Sequence, residues 1–312
     1  MIAVLPEDEW RARAAAHRRR VGALTGPHRE RARTGTAHPV LDFLFTYYDN
    51  RPSRLERWHP GPGLVLAGAS DREFGPPHRT GPAGVRLDPG LLGERWRRTA
   101  GGARALLVAT AGRPPRLGCF GLHEWAMVYR TGGERRHAST PLRLGVAGTD
   151  AVVESLPLRC THADAYRFFS PAARPRNASA PGRADRLTAE QPGCVHATMD
   201  LYRVAYRLAP ATPAELVADC LELAARAREL DMRAGPYDLT AFGLDPVPVE
   251  TPQGRAAYAA EQAGLARAAA PLRAALVALV DRLLGTEGGD DGGEGGGRPH
   301  EPSSQRAPGA AP

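Results

Sequence analysis

Lysine is absent from the 312 residues, so all 41 basic positions are arginine. That leaves no lysine for a phosphate-cradling loop, for a Schiff base with pyridoxal phosphate, or for β-lyase chemistry on an abasic sugar. Isoleucine occurs once (Ile2) and asparagine twice (Asn50, Asn177), as expected of GC-rich coding, which by itself raises arginine. The net charge of +7 is therefore weak grounds for a nucleic-acid partner. Cysteine is also scarce: Cys119, Cys160, Cys194 and Cys220 form no C-x-x-C pair. Nothing near the amino terminus reads as a secretory signal, because Glu7, Asp8, Glu9 and Trp10 stand where an apolar stretch should begin. A cytoplasmic location with reduced, idle thiols is expected. No run of 18 uninterrupted apolar residues occurs, so no membrane-spanning helix is expected. No G-x-S-x-G elbow is present, and the lone Gly61-Pro62-Gly63 lacks the strand–turn–helix context of a dinucleotide site.

What is present reads as a mainly α protein with a minor β component (α+β). A single compact domain is expected over 37–285, preceded by an arginine-rich helix and linker over 1–36 and followed by a disordered Gly/Pro-rich acidic tail over 286–312. The first segment carries eight arginines against four acids, and the tail five acids against two arginines. Periodicity predicts helices over 7–24, 38–48, 89–111, 194–208 and 212–233, and a helical pair broken at Pro271 over 252–284. Short strands are predicted at 64–67, 85–87, 142–146 and 152–158, whereas 117–130 fits either type. Thr161 with Asp164, and Thr212 with Glu215, have capping-box spacing. The span 170–193 is a long irregular connection, a length that is either functional or disordered.

Three segments set histidine beside acid: His123-Glu124, His162-Ala163-Asp164, and His196 with Asp200 on one helical face continued by Arg203. Two chemistries compete. In one, His123, His162 and His196 bind a divalent metal together with nearby carboxylates. In the other, no cofactor is required; Asp164, Asp200 or Glu124 is a general base and the histidines orient it or bind substrate. Tyr48 and Tyr166 are candidate pocket walls. Asn177 and the arginines of the long connection are candidate contacts for a phosphate or other polar group. The bland alternative is that the histidines satisfy backbone carbonyls and the acids pair with arginine.

The runs Phe120-Gly121-Leu122-His123-Glu124-Trp125-Ala126, Cys160-Thr161-His162-Ala163-Asp164-Ala165-Tyr166 and Glu190-Gln191-Pro192-Gly193-Cys194-Val195-His196 resemble an actinobacterial family commonly named 3-methyladenine DNA glycosylase. The resemblance extends over about 38–275. It implies a monofunctional hydrolase that removes alkylated purine from DNA in repair, with Asp164, Asp200 or Glu124 steadying the sugar cation or activating water. Such an enzyme needs no lysine, and DNA is the partner it implies. The chain has neither the hairpin motif of helix-hairpin-helix glycosylases nor a helical-repeat period, so no catalytic residue carries over from those enzymes. The alternatives read from the residues are a metal- or carboxylate-dependent enzyme acting on a small polar metabolite, and a non-enzymatic ligand-binding protein.

Overall fold

A computed structural model of the protein describes residues 3–132 and 138–285; the terminal segment 286–312, expected to be a disordered tail, lies outside them. The chain is 58% helical with one small sheet. Helices α1 (Glu7–Thr34), α2 (Phe43–Thr46), α3 (Pro52–Leu55), α4 (Asp71–Phe74) and α5 (Glu94–Ala111) form the first half. Next come α6 (Leu122–Val128), α7 (Gly145–Ser155), α8 (Ala163–Tyr166), α9 (Arg186–Ala189), α10 (Val195–Leu208), α11 (Ala214–Arg233) and α12 (Pro252–Leu284). Strands β1 (Ala3–Leu5), β2 (Leu64–Leu66), β3 (His78–Gly81) and β4 (Gly84–Leu87) make one sheet in the order β1-β2-β4-β3, with only the β1–β2 pairing parallel.

At the centre, α10 packs on α11, α5 and α12. It buries Met199, Leu201, Tyr202 and Ala205, while α11 presents Val217, Leu221 and Ala224 at helical spacing. A second core under the sheet joins Trp10, Trp58, Phe74, Leu66 and Val85. Two of the amino-terminal arginines tie the first helix to α11: Arg20 pairs with Asp219 and Glu222, each at 2.6 Å, and Arg13 with Glu215 at 2.8 Å.

Several local expectations give way to tertiary packing. Helix α1 runs ten residues past its predicted end, through Gly26-Pro27. Its last turns are tied down by Arg29 on Glu56 and by Arg31 and His28 on Asp42. Pro271 does not break α12, because it lies on the exposed side, where the carbonyl it leaves unpaired can reach water. Residues 152–155 belong to helix α7, not to a strand; farther on, only an isolated bridge, Leu158 to Asn177, has β character. Neither capping box forms: His162 and Pro213 are the N-caps, and Glu215 turns to Arg13 and the Trp58 indole.

Helix α12 also exceeds the expectation from apolar runs. Its best 18-residue window has a mean hydropathy of 1.5, long and apolar enough to cross a membrane by length and composition. Here it packs against α5, α10 and α11 and buries Tyr258, Gln262, Leu265, Leu276 and Leu279.

Candidate metal centre

Three tight backbone devices aim side chains at one point. Phe120 (φ 47°) and Gly121 (φ 68°) are consecutive left-handed residues that turn the chain into α6. A Cβ at Gly121 would stand 3.1 Å from the Ala234 Cβ, so the turn is seated on the end of α11. It delivers His123 and Glu124 to the core. Gln191 holds the approach to α10, accepting from Arg116 N at 2.8 Å and Gly193 N at 2.7 Å. Gln262 of α12 donates to the Gly193 carbonyl at 2.6 Å. These fix the start of α10 and hence His196. The third device is α11, whose apolar stripe 217-221-224 continues into Arg228 and Asp231 on the same face.

The result is two adjacent triads. His123, His196 and Asp231 offer ligand atoms that all lie within 4.8 Å of one another, and so do His162, Glu190 and Asp200. His196 joins them: its ring is edge-on to His123, centroids 4.3 Å apart, and nearly parallel to His162 at 5.2 Å. His123 Nε2 lies 3.0 Å from Asp231 Oδ1. Arg228, 1% exposed, donates to Glu124 at 2.7 Å and to Asp231 at 3.0 Å, with its guanidinium 4.1 Å from the Phe43 ring centroid. In the second triad Arg186 bridges Glu190 (2.6 Å) and Asp200 (3.1 Å), and Arg203 links Asp200 to Asp164 (3.0 Å).

Four buried carboxylates thus face three guanidiniums. Burial alone would lower the His123 pKa, but Asp231 and Glu124 outweigh it and raise the imidazole above its ordinary value. Asp231 and Asp200 are held well below the usual carboxylate range despite burial, Asp231 chiefly by His123 and Asp200 chiefly by Arg203. His196 goes the other way: burial, with His123 beside it, keeps it neutral and free to act as a ligand. Two imidazoles make no hydrogen bond among the described residues: His162, whose Nε2 stands 3.5 Å from Asp200 and 3.6 Å from Glu190, and His196.

All six acid and histidine residues singled out from the sequence therefore converge, His123, Glu124, His162, Asp164, His196 and Asp200, and so does Arg203. Tyr48 reaches them, donating to Asp200 at 3.3 Å. Tyr166 does not; its ring packs 5.1 Å from Phe169. Asn177 is a clamp on the backbone of Cys160, accepting from its N at 2.8 Å and donating to its O at 2.9 Å. The long connection is partly ordered into α9, which supplies Arg186. Sequence reasoning missed Asp231, Arg228 and Glu190, and placed Arg186 only among the candidate phosphate contacts of the long connection. A legible signal existed for the first two: a charged pair three residues apart interrupts an otherwise apolar helical stripe.

Two small cavities flank His196, about 10 Å³ on the side of His123, Cys119, Cys160 and Cys194, and about 20 Å³ on the side of Glu124, Asp164 and Arg228. The three thiols are pushed up by burial, Cys160 to about 12, which leaves them poor nucleophiles. Above the first cavity a cleft of about 490 Å³ opens between Arg116 and Arg159, and Cys119, Cys160, Thr161 and Gln191 wall both spaces. Neither arginine side chain has a carboxylate partner among the described residues.

The fold and site define a mainly helical protein with a buried histidine–carboxylate centre. No protein-family model, curated protein or solved structure matches the chain.

Proposed function

We propose that the protein is a metal-dependent enzyme in which His123, His196 and Asp231 hold a divalent transition metal beneath the Arg116–Arg159 cleft. The observation that carries this reading is the meeting of two adjacent imidazoles that make no hydrogen bond among the described residues, His162 and His196, with the buried carboxylates of the two triads. Two imidazoles and one carboxylate suit Fe, Mn or Zn and leave coordination positions for water and substrate. The metal would supply Lewis acidity or an activated water. Arg228 holds Asp231 in place from behind. Arg116 and Arg159 favour a small anionic substrate, and a cleft of about 490 Å³ has room for one.

Excision of an alkylated purine, which the family resemblance implies, requires room for a flipped base beside an available carboxylate. The cavity next to Glu124 and Asp164 holds about one water, and Glu124, Asp164 and Asp200 are all paired with arginine. The geometry therefore supports the small-substrate reading better.

Metal analysis of the purified protein, with titration of chelated protein by Mn, Fe(II) and Zn, is the test. About one equivalent of bound metal is expected, with binding weakened at least a hundredfold in His196→Ala and Asp231→Asn proteins of unchanged circular dichroism. Absence of binding, or equal binding by these variants, overturns the reading. Excision of 3-methyladenine from duplex DNA by metal-free protein would reinstate the glycosylase.

A further inference from the structure

Away from this centre, α5 and α12 diverge and leave an open groove of about 850 Å³. Its walls are alanines and short aliphatic side chains, among them Val108, Ala266, Ala270 and Val277, and Val108 is 44% exposed. At its floor lies Arg273, 3% exposed. Its Nε and Nη2 are buried with no hydrogen-bond partner, and no carboxylate pairs with it among the described residues. The other charges of the lining are engaged or outside: Arg113 donates to the carbonyls of Ala109, Leu187 and Glu190, Asp281 is held by Arg104, and Arg267 is exposed.

A buried guanidinium without a counter-charge costs several kcal/mol, and a protein that keeps one gains where an anion completes it. Desolvation pushes the Arg273 pKa down, with no neighbouring acid to oppose it. The anion must also bring apolar surface, because most of the groove lining is hydrocarbon. From Arg273 to the Ala263 end of the groove α12 rises about 15 Å, the reach of a medium-length acyl chain.

We propose that the α5–α12 groove binds a free fatty acid, its carboxylate paired with Arg273 and its chain lying along the alanine face of α12. The acidic segment after α12 (Glu287, Asp290, Asp291, Glu294) has the charge to compete but almost no apolar side chains to fill such walls. The groove shares Leu117 with the Arg116–Arg159 cleft, but none of its lining residues belongs to either triad.

Calorimetric titration of the full chain with dodecanoate, below its micelle concentration, tests this. One saturable site is expected, at least tenfold weaker for dodecanol and for Arg273→Met, and retained in part by Arg273→Lys. Removing the unpaired charge should also raise the Tm of ligand-free Arg273→Met by a few degrees, so the variant is stabilised while it loses the ligand. Should Arg273→Met fail to fold, Ala266→Phe fills the groove without touching the charge, and it must abolish binding. No saturable binding, or equal binding of dodecanoate and dodecanol, overturns the proposal. So does a groove that takes no dodecanoate while neutralising Glu287, Asp290, Asp291 and Glu294 lowers the Tm of wild type but not of Arg273→Met; the occupant would then be the chain's own acidic end.

Discussion

His196 stands edge-on to His123 with ring centroids 4.3 Å apart, so the first turn of α10 connects the triad built on α6 and α11 to the one built on α8, α9 and α10. Each triad contains groups from segments far apart in the chain, and His196 is the shared wall between the two small cavities. Its replacement is the most direct probe of the centre. His196→Ala removes no hydrogen bond made by the ring, so its stability cost is limited to a buried void, about 1–2 kcal/mol. Any metal-dependent activity should fall by at least a hundredfold. A variant that keeps wild-type metal content would show that the imidazole is only packing.

Arg228 should be the costliest single site. Arg228→Met keeps the side-chain volume but leaves Glu124 and Asp231 buried without their guanidinium. A loss of about 3–5 kcal/mol is expected in urea denaturation. Saturating Mn or Zn should recover part of that loss, because a cation can take over the charge. A cost below 1 kcal/mol would mean that the two carboxylates find other partners.

Acid sensitivity should come in part from His59. Burial, reinforced by His78 and His17, depresses its pKa from 6.5 to about 3. Above pH 6.5 both folded and unfolded states hold it neutral and it contributes nothing. Below 6.5 the unfolded chain takes up a proton that the folded chain refuses, so stability is lost as pH falls towards 3, at about 1.4 kcal/mol per pH unit. Between pH 7 and pH 5, His59→Gln should lose about 2 kcal/mol less than wild type. Identical slopes would show that His59 takes its proton without unfolding.

Gly121 tests the turn into α6. Alanine there must adopt φ near 68° and press its Cβ against Ala234. A destabilisation of about 1–3 kcal/mol is expected, with a matching displacement of His123 that weakens metal binding more than it changes secondary structure. Gly35, at a similar φ with open space around it, provides the control: Gly35→Ala should cost only the backbone strain.

Much of the helical layout is legible in the residues. Helices α10 and α11 begin within two residues of where periodicity puts them, because each has one apolar stripe that only a helix can gather onto one face. Helix α7 is not legible: valines at 152 and 153 have β preference, and their burial in a helix is decided by α6 and the core around them. The extent of α1 is likewise set outside itself, by Glu56 and Asp42 gripping its last arginines.

The opening scarcity has the same division. The sequence alone determines that every fixed cation is an arginine, and so excludes lysine chemistry wherever the site lies. It also shows that histidines and acids recur together in three segments. Only the tertiary structure decides that some arginines brace the centre, Arg186, Arg203 and Arg228, while among the described residues Arg116 and Arg159 at the cleft and Arg273 under an apolar groove have no carboxylate partner. The physical reason is that the role of a guanidinium is set by its burial and by the carboxylates within a few ångströms of it. Some of those neighbours lie one turn away, as Glu190, Asp200 and Asp231 do, and others are brought by elements dozens of residues away along the chain, as Asp164 and Glu124 are.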